Sequence, residues 1–140
     1  MADTRQSVYW AGAALCLLAF GAGAAPGGSG LLRDYETAAR VEEPDFGGFS
    51  AARGQAFFTT LRASEWSCAS CHTEKPSQPG KHARTGKTIA PLAPVANQER
   101  FTDAAKVEKW FRRNCNDVLQ RACTAAEKGD VITWLLSIGS

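Results

Sequence analysis

Cys68-Ala69-Ser70-Cys71-His72 has the spacing C-x-x-C-H, with two thiols three residues apart and an imidazole directly after the second. Each thiol can add across a vinyl group of a porphyrin, and the following histidine is then placed to ligate the iron. The pentapeptide points to one covalently attached haem c, with Cys68 and Cys71 as attachment points and His72 as the proximal ligand. Two other chemistries use the same residue types: a redox-active C-x-x-C pair beside an incidental histidine, and half of a zinc site completed by Cys115 and Cys123. The redox pair belongs at the start of a βαβ helix, which the flanking sequence lacks. The zinc site wants a tighter second pair than Cys115 and Cys123 offer.

Upstream of the motif, Leu31, Leu32, Tyr35, Ala38 and Ala39 recur at helical spacing until Pro44 and Gly47-Gly48 interrupt them. A short helix and linker are expected over 26–48, followed by a haem domain over 49–140. Ser50 is placed to cap a helix running to about Leu61, with Gly54 and Phe58 on one face. Downstream, Pro76, Pro79, Gly80, Gly86, Pro91 and Pro94 leave little room for helix between 73 and 98, and such a loop can wrap a cofactor. Thr102 or Asp103 opens a third helix to about Arg113, with Val107, Trp110 and Phe111 turned inward. Thr124 with Glu127 forms a capping-box signature for a last helix whose apolar stripe is Val131, Trp134, Leu135 and Ile138. The class is all-α, with three to five helices and long loops around one haem.

At the N-terminus, Arg5 precedes an apolar run from Trp10 to Ala25, and Ala22-Gly23-Ala24 has the small residues of a cleavage site. The run is shorter than the roughly 20 residues that a spanning helix needs, so residues 1–25 read as a cleaved signal peptide carrying Cys16 away with it. The destination is an oxidising one, the periplasm. Net charge is +2 and the charges are interspersed, so no nucleic-acid footprint appears. In an oxidising compartment Cys115 and Cys123 are expected to pair, worth roughly 2.5 kcal/mol in the chain-entropy treatment, the alternative being two buried thiols.

The other face of the iron is decided first by composition. The chain's one methionine is Met1, in the leader, which excludes the methionine-ligated carriers. His82 is the remaining imidazole, and with His72 it would make a bis-histidine electron carrier; beside Lys81 and Arg84 it also reads as a surface residue. Asn114 and Asn116 flank Cys115, where an amide could ligate ferric iron weakly or simply form a turn.

Four strings, Arg84-Thr85-Gly86-Lys87-Thr88-Ile89-Ala90-Pro91-Leu92-Ala93-Pro94, Arg100-Phe101-Thr102-Asp103, Val107-Glu108-Lys109-Trp110 and Arg113-Asn114-Cys115-Asn116, resemble the sphaeroides haem protein family of oxygen-binding c-type cytochromes. The likeness extends from about Leu31 to Ile138. It implies a class I cytochrome c fold in which Asn114 ligates the oxidised haem and leaves on reduction, with Cys115 and Cys123 as the neighbouring disulfide. It further implies that O2, NO or CO binds the reduced haem. Electrons would come from a dihaem cytochrome c or a membrane cytochrome b. Family members are proposed to convert nitric oxide to nitrate, a dioxygenase-type activity. Gly54 and Phe58 would cross the last helix closely with Trp134 as aromatic partner, and Arg84 and Lys87 would face the haem propionates. A carbonyl from Ala90–Pro94 would orient His72. The loop between Cys71 and Arg84, with His82 in it, departs from the family pattern.

Overall fold

A computed structural model describes residues 28–62 and 64–139, so the expected leader with Cys16 lies outside the described residues. Five helices follow in order: α1 (Ser29–Glu42), α2 (Ala51–Thr59), α3 (Ala69–His72), α4 (Ala104–Leu119) and α5 (Ala125–Ser137). Between α3 and α4 two short strands, β1 (Gly80–Lys81) and β2 (Thr88–Ile89), pair antiparallel with Gly80 opposite Ile89. The mostly helical class is as expected. Among the described residues no helix is long and apolar enough to cross a membrane.

α5 is the centre of the core. Val131, Ile132, Trp134 and Leu135 are buried on it, and Ile132, absent from the expected stripe, is fully enclosed, while Ile138, at the C-cap, is partly buried against the same core. α2 crosses α5 at Gly54, where a β-carbon would stand 2.0 Å from the Asp130 carbonyl oxygen. Only glycine permits that approach. Phe58, on the same face, packs against Trp134 with ring centroids 4.9 Å apart. The crossing is pinned by Asp130, whose buried carboxylate accepts from the Ser50 amide (2.6 Å) and from Arg53 Nε (2.7 Å). Ser50 also caps α2, as its position suggested.

α1 lies along α5 and buries Leu31, Tyr35 and Ala39. At its C-terminal end Glu42 accepts from the Ala125 amide (2.9 Å), a carboxylate set against the positive end of α5. Thr124 and Glu127 form the expected capping box at the same end.

α4 departs from expectation. The third helix was expected to end at about Arg113, but it continues through Leu119 and ends at Gln120 in a left-handed conformation (φ 58°). Asparagines lower helix propensity without forbidding it, and no glycine marks the true stop. Trp110 was expected to point into the core but is 43% exposed, because α4 stands off from the other helices and buries Cys115 alone. Arg113 and Lys109 lie over the Trp110 ring instead, at 5.2 and 6.0 Å.

Candidate haem site

The C-x-x-C-H residues fold as a single turn. Cys68 caps α3, and the amides of Cys71 and His72 both return to the Cys68 carbonyl (3.2 and 3.0 Å). Helical spacing of i, i+3 and i+4 brings the two thiols and the imidazole to one side of that turn. Thr73 ends it at φ 63°, ψ 163°, a conformation close to one reserved for glycine, with its hydroxyl bonded to both the amide and the carbonyl of Lys75. The hairpin of β1 and β2 closes on α3 from outside. A β-carbon at Gly80 would meet the Cys71 carbonyl at 2.1 Å, and the Ala83 amide donates to Cys71 Sγ (3.3 Å).

Cys68, Cys71 and His72 all line a cavity of about 670 Å³. That volume lies within the roughly 300–1,000 Å³ of cofactor and ligand sites. α4 supplies another wall through Val107, Trp110, Phe111 and Asn114. Asn114 is half-buried there, while Asn116 is exposed and lines a separate surface groove with Arg112 and Asp117. Of the two asparagines only Asn114 faces the space that His72 faces.

The donor set suits a covalently held iron porphyrin. Cys68 and Cys71 are free, whereas Cys115 and Cys123 are joined in a disulfide that ties α4 to the start of α5. Burial pushes the Cys68 thiol up to about 11, so it stays protonated at neutral pH. Burial, helped by the Arg100 charge, lowers His72 to about 4, which leaves a neutral imidazole with a free electron pair for a metal. The His72 ring rests against Phe58, 6.3 Å between centroids.

Three polar residues differ in how they meet this cavity. Lys87 lines it, while Arg84 reaches it only through Trp66, a lining residue over whose ring the guanidinium lies at 5.2 Å. His82 also lines it, but its Nδ1 accepts from the amides of Arg84 and Thr85 (3.2 and 3.3 Å) and closes a turn. Arg100, to which the sequence assigned no role, donates to the carbonyls of Pro91 (2.8 Å) and Ala90 (2.7 Å). Those carbonyls belong to the segment expected to orient His72. Among the described residues His72 makes no hydrogen bond to it, since the guanidinium is inserted there and the Leu92 and Ala93 amides turn back to Pro76 (2.8 and 2.9 Å).

Comparison with known proteins agrees with this geometry. A family described as a domain of unknown function, DUF1924, matches residues 44–135. Over 109 residues the chain is 44% identical to cytochrome c-type protein SHP of Cereibacter sphaeroides, spanning 75% of this chain and 79% of that one. It is 41% identical over 111 residues to cytochrome c'' of Methylophilus methylotrophus, spanning 76% and 77%. The crystal structure of oxidised cytochrome c'' superposes with a TM-score of 0.70, covering 77% of this chain and 91% of that one. Oxidised SHP, an oxygen-binding cytochrome c, gives 0.67, covering 76% and 92% at 44% identity. With the free C-x-x-C-H thiols, the neutral imidazole and the cavity they line, these likenesses establish that the chain belongs to the sphaeroides haem protein family and is a monohaem c-type cytochrome with covalently attached haem c.

Proposed function

We propose that haem is carried by Cys68 and Cys71 and ligated by His72. Asn114 ligates the ferric form from the α4 side and departs on reduction, so that a diatomic molecule such as O2, NO or CO can take its place. The observation that carries this reading is the shared cavity: Asn114 is on its α4 wall and His72 on its α3 wall, with no methionine beyond the leader to compete. The relatives lend support, since SHP is an oxygen-binding cytochrome and a solution structure of cytochrome c'' concerns haem-ligand detachment. Haem held by these residues would supply an iron able to exchange one electron and to bind a small gas. The chain's own contribution is to present a neutral imidazole on one side, a weak amide on the other, and an apolar wall of Val107 and Phe111 around the approach.

Electrons are supplied by a partner cytochrome, a dihaem cytochrome c or a membrane cytochrome b. The protein works in the periplasm after losing residues 1–25, with 49–140 as the haem-carrying part. His82 is the competing distal ligand, because it too lines the cavity. Its loop is bonded to the Cys71 sulfur through Ala83, which sets it beside the attachment cysteines rather than on α4.

The ferric near-infrared and low-temperature resonance spectra of Asn114→Ala and His82→Ala test the assignment. A change confined to Asn114→Ala supports it, and a change confined to His82→Ala replaces it with the bis-histidine carrier. Carbon monoxide added to dithionite-reduced protein must alter the spectrum; an unaltered one ends the gas-binding reading.

A further inference from the structure

The helix that carries Asn114 has few fixed points. Phe101 is buried just before it, and the disulfide at Cys115 and the Ser64 hydroxyl, donating to the Val118 carbonyl (2.7 Å), hold its C-terminal half. Between these stands Glu108, which receives two other helices at once. Tyr35 of α1 donates its hydroxyl to Glu108, and Lys128 of α5 donates to both carboxylate oxygens (3.1 and 2.9 Å).

The three side chains form one unit. Lys128 lies 5.3 Å from the Tyr35 ring centre, and that ring meets Phe111 of α4 edge-on at 6.3 Å. Burial, with the carboxylate beside it, drives the Tyr35 phenol well above its ordinary value, so it remains a donor. Glu108 and Asn114 are six residues apart, about 9 Å along the helix axis. Any tilt of α4 permitted by loss of the Glu108 bonds is therefore felt at Asn114.

We infer that Glu108 is a positioning residue for the distal ligand: its bonds to Tyr35 and Lys128 hold α4 where the Asn114 amide reaches the iron, and without them the open distal site gains population. This inference rests on the reading of Asn114 as the ferric ligand. Large energies are not required, because a tenfold change in an on–off equilibrium corresponds to about 1.4 kcal/mol.

The test is a double-mutant cycle on the ferric holoprotein, with imidazole as the probe that competes with Asn114 for the iron. Glu108→Ala is expected to bind imidazole several-fold to about tenfold more tightly than the unaltered protein, and Asn114→Ala more tightly still. In the double variant the Glu108 effect should vanish. Glu108→Gln, which keeps a bond to Tyr35 but loses the ion pair, should fall between and serves if Glu108→Ala folds poorly by circular dichroism. Unchanged imidazole affinity in both Glu108 variants, or an equal gain with and without Asn114, overturns the inference. If Asn114→Ala itself leaves the ferric spectrum and imidazole affinity unaltered, the ligand assignment fails first, and the two failures are told apart by that single variant.

Discussion

Gly54 of α2 meets the Asp130 carbonyl of α5 so closely that a β-carbon would stand 2.0 Å from the oxygen. The atom in the way is backbone, held by α5's own hydrogen bonds, so it cannot swing aside. Gly54→Ala is expected to lower stability by at least the roughly 1–3 kcal/mol typical of overpacked cores, read as a fall in the urea midpoint. An unfolding free energy within about 0.5 kcal/mol of the unaltered protein's would show that the two helices can part without loss.

Glu127 makes stability depend on acid. Burial alone would raise its carboxyl, but bonds from Arg121 (2.6 and 2.8 Å) and from the Thr124 amide (2.9 Å) prevail and hold it below the ordinary carboxylate value. A lowered folded-state value means the contribution is complete above the unfolded value and is lost as pH falls through the folded one. Glu127→Gln should therefore be less stable at neutral pH, and its melting curve should approach that of the unaltered protein as pH falls through and below the ordinary carboxylate value. Curves that stay parallel would contradict this.

Arg100 places a fixed positive charge beside the cavity, close enough to depress His72. A cation there disfavours the more positive ferric state. Arg100→Gln is expected to lower the midpoint potential by up to about 60 mV, tenfold in the reduction equilibrium, and Arg100→Lys should recover part of the shift. Potentiometry on the three holoproteins decides it, and a potential indifferent to the charge would remove the electrostatic role.

Replacing both Cys115 and Cys123 by serine opens a link that spans eight residues. Chain entropy assigns that closure roughly 2.5 kcal/mol, and both cysteines are buried, so the loss in thermal unfolding should be at least of that order. A variant as stable as the original would mean that α4 is held by its other contacts alone.

Local chemistry was legible in the sequence and long-range chemistry was not. Ser50, Asp103 and the Thr124–Glu127 box each announce a helix start within four residues, and all three cap as read. C-x-x-C-H is equally local, which is why the cofactor could be named before any fold. The end of α4 was misplaced because Asn114 and Asn116 look like turn formers, while the stop at Gln120 carries no glycine. Trp110 was misassigned because helical periodicity tells which face is apolar but not whether another helix or an open cavity lies against it. The Tyr35–Glu108 and Arg53–Asp130 contacts join residues more than seventy positions apart, and no periodicity reports such pairs.

The stand-off of α4 also decides where the fold opens most readily. α1 and α2 each pack on α5, whereas the apolar wall at Val107, Trp110 and Phe111 lines the cavity. α4 is thus a helix on a leash beside the core, and its local opening needs less energy than opening of the α2–α5 crossing. Exchange with solvent is therefore expected to reach the backbone amides of α4 before those of α5.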